Sequence, residues 1–173
     1  MTKRFDRHGN TKHHMQSLCA MSHLDYKQRG THSYEQLFMT LRALGLGTEA
    51  VDQTFARMAF NVIARNCDDH TKNFSFLLRQ GGQWELSPAY DVTHAHNPQG
   101  EWTAQHLLSV NGKFDEILDE DMLVVAQRFS VRSPAEIIER VKVAVKRWPE
   151  FSEAASISSQ ESERVGRDFT LLH

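Results

Sequence analysis

The 173-residue chain has little that would support a covalent or metal-stapled scaffold. Its two cysteines, Cys19 and Cys67, lack C-x-x-C spacing, which speaks against a disulfide framework and a cysteine-based zinc site. No apolar run reaches membrane length and no signal-peptide pattern is present, so the chain is expected to be cytoplasmic, with free thiols and no membrane partner. Charge of one sign is also missing. Twenty Lys and Arg against 22 Asp and Glu leave a net charge of -2, with no basic block, which gives no footprint for direct nucleic-acid binding. Histidines are plentiful, but His13, His14, His94, His96 and His106 form neither H-E-x-x-H nor a Cys/His framework and read as solvated loop residues. There is no repeat or low-complexity tract. A hydrophobic content of 40% over this length is enough for one core, so residues 1–173 are read as a single domain.

The apolar periodicity is mainly helical. Ser33-Tyr34-Glu35-Gln36 has the form of a capping box, and Tyr34, Leu37, Phe38, Leu41 and Leu44 share one face up to Gly45. Thr48 is placed to cap a second helix whose Val51, Phe55, Met58 and Val62 form a buried stripe ending near Asn66. Asp119 to Phe129 reads as a further helix. Ser133-Pro134-Ala135-Glu136 reads as the cap of another, burying Ile137, Ile138, Val141, Val145 and Trp148 and ending at Pro149. A last amphipathic helix is expected between Ser152 and Phe169. Near the amino terminus, Met15, Leu18 and Cys19 have weak helical spacing, Arg7 to Lys12 is a polar turn and Asp25 to His32 a surface loop. Phe74, Phe76 and Leu78 alternate with Ser75, Leu77 and Arg79, then Gln80-Gly81-Gly82 turns toward Trp84 and Leu86, which predicts a β-hairpin.

Between the second helix and that hairpin lies the one dense cluster of acid, base and amide groups, Asn66-Cys67-Asp68-Asp69-His70-Thr71-Lys72-Asn73. After the hairpin comes Leu86-Ser87-Pro88-Ala89-Tyr90-Asp91. Such residues favour turns over helix, and the hairpin can bring Asp91 back to face the loop. The set suits phosphoryl transfer, in which one carboxylate takes the proton of an attacking hydroxyl, an amide and a second carboxylate hold Mg²⁺, and a cation sits beside the moving group. Asp68, Asn73, Asp91 and Lys72 could fill those roles in that order. Each also has a plainer reading: Asp68 and Asp69 as turn caps, His70 as a hydrogen-bonding tether for the loop, Lys72 as a solvated charge, and Asn73 as a strand-start cap. Phe5 is either a core anchor or a wall under an adenine ring.

Asp68-Asp69-His70-Thr71-Lys72-Asn73-Phe74-Ser75 together with Ser87-Pro88-Ala89-Tyr90-Asp91-Val92 resembles the D-x-H-x-K-N-F and P-x-Y-D motifs of the HipA-like serine/threonine kinases. Arg4-Phe5-Asp6-Arg7 resembles the segment after the nucleotide hinge in that family, with Lys3 where the family has Glu, so that only a backbone contact to the nucleotide is expected there. The resemblance implies a fold that is mainly α with a small β-hairpin, similar to the carboxy-terminal lobe of a protein-kinase-related fold. It implies ATP- and Mg²⁺-dependent phosphorylation of a protein on serine or threonine by a toxin paired with a HipB-like, DNA-binding antitoxin, leading to growth arrest or persistence. Asp68 is the implied catalytic base, supported by His70 and Lys72. Asn73 and Asp91 are the implied Mg²⁺ ligands, and Lys3, Phe5, His70, Lys72, Asn73 and Tyr90 the implied nucleotide contacts. The Gly-rich loop and phosphate-gripping Lys of the family are expected on a separate amino-terminal chain or lost, leaving the chain alone with weak ATP binding and no turnover. Two alternatives are a non-catalytic module that binds a partner, and a metal-dependent phosphohydrolase using Asp68, His70, Asp91 and either His94 or His96.

Overall fold

The structure is a computed structural model that describes residues 4–171. In chain order these form β1 (Arg7–His8), β2 (Thr11–Lys12), β3 (His14–Ser17), α1 (Leu18–Met21), β4 (His32–Ser33), α2 (Tyr34–Ala43) and α3 (Thr48–Ile63). There follow β5 (Ser75–Leu78), β6 (Trp84–Leu86), β7 (Leu108–Ser109), α4 (Asp119–Phe129), α5 (Pro134–Lys146), α6 (Trp148–Ala154) and α7 (Ser159–Asp168).

The helices carry the core. Ser33 accepts a hydrogen bond from the Gln36 N–H and donates its own N–H to the Gln36 side chain, closing the capping box and starting α2. Tyr34, Leu37, Phe38 and Leu41 of α2 are completely buried, and Gly45, at a φ of +71°, ends the run where a side chain would be strained. The buried stripe of α3 holds Val51, Phe55, Met58 and Val62, as the spacing predicts. Its cap differs: Gly47 takes the cap position and Thr48 is the first helical residue, because the chain leaving Gly45 is already extended at Gly47. α3 lies in the middle, packed against α2, α4 and most extensively α5. Phe38 of α2 stacks on Phe129 of α4 with ring centroids 4.8 Å apart.

Two helix ends depart from the sequence reading. Ser133 sits at a φ of +45° and makes no side-chain cap, so Pro134, whose φ is preset for the first turn, starts α5 unaided. Pro149 does not end α5. It lies in the first turn of α6, where a missing N–H has no consequence.

The sheet content exceeds one hairpin. β5 and β6 form the expected hairpin with Leu78 opposite Trp84, but the free edge of β5 takes β3 as an antiparallel neighbour, His14 facing Leu78 and Ser17 facing Ser75. The weak helical spacing around Met15 therefore resolves into a strand, leaving only the single turn of α1. As the central strand, β5 is covered on both faces. Leu77 is as buried as Phe76, so the expected alternation of inner and outer residues is lost. β1 and β2 make a small hairpin through the Arg7 to Lys12 turn, and β4 pairs in parallel with β7. The fold among the described residues is thus a mixed one, seven helices with three small sheets. No described helix is long and apolar enough to cross a membrane, and Cys19 and Cys67 are free thiols.

Candidate functional site

The polar loop begins where α3 is stopped. Arg65 takes a φ of +52°, the Asn66 N–H turns back to the Asn61 carbonyl, and the Cys67 N–H bonds the Ala95 carbonyl, which ties the loop to the segment following Asp91. At its far end the Asn73 N–H bonds the His70 carbonyl, and the Leu18 and Cys19 N–H groups bond the carbonyls of Phe74 and Thr71. The chain between is a tight turn held at both ends by backbone.

Its anchor is Asp69, a residue the sequence left as a possible turn cap. Fully buried, Asp69 accepts hydrogen bonds from the Tyr34 hydroxyl at 2.7 Å, the Leu107 N–H at 2.8 Å and His106 Nδ1 at 3.0 Å. Asn61 donates to the Tyr34 hydroxyl and Asn66 donates to Asn61, so α2, α3 and the loop share one buried polar chain. Burial alone would hold the His106 imidazole neutral, yet the Asp69 carboxylate, with Cys67 alongside, outweighs it and pushes the pKa of His106 up to about 10. The apolar periodicity that made Tyr34 a core residue hides its hydroxyl. Nothing in the spacing of His106 marks it as a partner of Asp69.

Asp68, the next residue, points outward and remains 46% exposed. Partial burial raises its pKa; His70 opposes the rise, while the charges of Asp91 and Asp69 add to it. Asp91 thus returns close enough for its charge to reach Asp68. It does so with a φ of +54°, a left-handed conformation that Asp tolerates better than most residues. Asn73 uses its amide nitrogen to bond the Asp68 carbonyl at 2.8 Å, bracing the loop from inside instead of capping a strand. Tyr90 donates its hydroxyl hydrogen to the Lys72 carbonyl and lies 2.5 Å from the Ser75 hydroxyl, so the P-x-Y-D segment is fastened to the D-x-H-x-K-N loop. Asn73, Tyr90 and Asp91 line one cleft of about 240 Å³, with Asn66 beside them and Phe60 and Phe74 as apolar walls. Phe5 is half-buried, its ring centroid 5.8 Å from that of Tyr90 at this cleft.

The other expected residues stand elsewhere. Lys3 lies outside the described residues. His70 does not tether the loop through its side chain: Nε2 is 3.9 Å from the Asp68 carboxylate, and the buried Nδ1 has no hydrogen-bond partner. Asp69 does that work. Lys72 is exposed, with its ammonium 3.2 Å from the centroid of the Tyr26 ring. His94 and His96 both face Asp168, at 2.9 and 3.4 Å, and Arg65 contacts His96. They are therefore engaged away from Asp68, and among the described residues no three His, Cys, Asp or Glu side chains converge to hold a metal ion. The phosphohydrolase set of Asp68, His70, Asp91 and a downstream histidine does not assemble.

The model of the HipA-like C-terminal domain family matches residues 1–148. No curated protein sequence matches the chain. Among solved structures, the fold is similar to a chain of the Shewanella oneidensis MR-1 toxin–antitoxin complex of HipA, HipB and operator DNA, with a TM-score of 0.71 and 19% identity. The match covers 95% of this chain and 45% of that one. The chain thus spans less than half the length of that relative, and the likeness is one of fold.

Proposed function

Starting from a chain that belongs to the family of HipA-like C-terminal domains, we propose that it is the carboxy-terminal half of an ATP-dependent protein serine/threonine kinase of toxin–antitoxin type. The observation that carries this reading is the convergence of two separated motifs: Asn73 from the loop and Tyr90 and Asp91 from beyond the hairpin line one cleft, and Asp68, on the other side of the same loop, still feels the Asp91 charge.

Asp68 is the proton acceptor. It is open to solvent on one side, and partial burial raises its pKa, which increases its basicity. It would take the proton of the acceptor hydroxyl, whose oxygen would bond the γ-phosphorus while the bond from that phosphorus to the β,γ-bridging oxygen breaks and ADP leaves. Mg²⁺ keeps several waters and needs only one or two protein oxygens, and the cleft fits that demand. Asn73 has its nitrogen committed to Asp68 and so offers its oxygen, and Asp91 offers an exposed carboxylate. When bound, Mg²⁺ and ATP would supply charge neutralisation and the phosphoryl group. Phe5 and Tyr90, in ring contact beside the cleft, form an apolar wall suited to the nucleotide. An amino-terminal lobe with a Gly-rich loop and a phosphate-binding Lys would complete the site, and a HipB-like antitoxin would be the regulatory partner.

The test is reconstitution. With an amino-terminal lobe chain supplied, label from γ-labelled ATP should appear on serine or threonine of a protein acceptor, and Asp68→Asn should abolish it. Retained transfer in Asp68→Asn would remove Asp68 as the base. Co-purification with an antitoxin-like partner and no transfer under any condition would favour the non-catalytic module.

A further inference from the structure

Asp68 and His70 do not line the cleft of Asn73 and Asp91. They open into a second cavity of about 210 Å³, whose other walls are Tyr26, Lys27, Trp102 and Leu107. The two cavities share no lining residue. The loop divides between them, Asn66 and Asn73 facing one, Asp68 and His70 the other.

The second cavity is built mostly from apolar surface that water would otherwise wet. Trp102 is 42% exposed, although burial would remove a large apolar area from solvent. Its ring is held by the Arg29 guanidinium at 5.1 Å, and Arg29 also donates to the Glu101 carbonyl. On the other side, the Tyr26 ring is fixed by the Lys72 ammonium and meets His70 edge-on, with centroids 6.1 Å apart. Leu107 is held in place by its N–H on Asp69. Solvent-facing aromatics around a pocket are the usual anchors of a recognition site.

Two of the walls carry formal charge, Asp68 and Lys27. With Asp68 assigned to the acceptor hydroxyl, Lys27 is the cation left to meet a carboxylate. We propose that this cavity is the acceptor-substrate subsite: it takes a large apolar side chain next to the serine or threonine that faces Asp68, in a segment that also carries an acidic residue opposite Lys27. This rests on the kinase reading and adds the recognition that reading lacks. It gives Lys72 a role as well, holding the Tyr26 wall.

The test needs no turnover. Serine peptides that differ only in the residue before the serine, Leu against Gly, and in an adjacent Glu against Lys, are titrated into the nucleotide-free chain while the Trp102 indole N–H is followed by NMR. The Leu/Glu peptide should shift that resonance and bind at least tenfold more tightly than the Gly form. With binding followed by calorimetry, Trp102→Ala should erase the difference without disturbing the circular dichroism, and Lys27→Glu should reverse the preference from Glu to Lys. Equal binding of all the peptides, a preference that survives Trp102→Ala, or AMP displacing the peptide from Trp102 would overturn the subsite; the last would make the cavity an adenine pocket. Failure of the kinase reading looks different: a Leu/Glu peptide that binds at Trp102 yet is not phosphorylated with the amino-terminal lobe chain present leaves the subsite and removes the transferase.

Discussion

The carboxylate of Asp69 and the imidazole of His106 lie 3.0 Å apart with 0% and 1% of their side chains exposed, while Asp68, the next residue along, is 46% exposed. Adjacent acids therefore divide the labour. Asp69 faces inward and fixes the loop through Tyr34, His106 and the Leu107 N–H, which leaves Asp68 at the surface with His70 as its nearby cationic-capable neighbour at 3.9 Å.

Asp69→Asn should be among the most destabilising single changes in the chain. Asn keeps the shape but removes the charge facing His106 and cannot accept all the converging donors with both of its side-chain atoms. Breaking one half of a buried ion pair costs about 3 to 5 kcal/mol. Urea unfolding should show that loss, and a double-mutant cycle with His106→Gln should recover part of it. A loss under about 1 kcal/mol would mean that the pair carries no weight, since surface pairs already reach that value.

The same pair sets a pH dependence. His106 has a folded pKa of about 10 against about 6.5 when unfolded, so the folded state binds the proton more tightly. Its stabilisation is complete below about 6.5 and is lost as pH rises through about 10. Thermal unfolding should show the melting temperature falling across that alkaline window in wild type, with a flatter profile in His106→Gln. The His106 ring resonances should keep imidazolium shifts throughout the neutral range. A midpoint near 6.5 would contradict the buried charged pair.

The helices were legible because their signals are local. The capping box at Ser33, the stop at Gly45 and the stripes of α3, α4 and α5 each follow from a few residues of sequence. What failed depended on partners distant in the chain. His14–Ser17 is a strand because it pairs with the open edge of β5, and Leu77 is buried against the alternation of its strand. At the candidate site, the meeting of Asn73 with Tyr90 and Asp91 was legible from two short motifs. Asp69 was not, because its role depends on Tyr34 and His106, 35 and 37 positions away. The cavity between Tyr26 and Trp102 was hidden for the same reason: two loops with no periodicity meet only in three dimensions.

Asp68→Asn should separate function from stability. The raised pKa means that the folded protein holds charged Asp68 less favourably than the unfolded chain does. That penalty is absent at a pH below the ordinary carboxylate value and grows as pH rises through the raised one. The variant should therefore melt at or slightly above the wild-type temperature at pH 7 and show no gain at pH 3, while transfer by the reconstituted enzyme is lost by a factor of at least about 100, the lower end of what a general base contributes. In wild type, transfer should fall on acidification at a higher pH than for a free aspartate. A variant clearly less stable than wild type at pH 7 would mean that Asp68 is structural.

The proposed magnesium site can be tested without turnover. Asn73 and Asp91 reach the same cleft from opposite sides of the hairpin, and Mn²⁺ can stand in for Mg²⁺ on such oxygen ligands. Low concentrations of Mn²⁺ should broaden the backbone amide signals of Asn73, Tyr90 and Asp91 first, and Asp91→Ala should weaken the effect at least tenfold. Asn73→Asp separates the two jobs of Asn73. The carboxylate keeps an oxygen for the cation, so Mn²⁺ binding should survive, but the variant loses the N–H donor to the Asp68 carbonyl, so amide exchange across residues 68–73 should speed up. Broadening that leaves the amides of Asn73, Tyr90 and Asp91 untouched would remove the magnesium role proposed for Asn73 and Asp91.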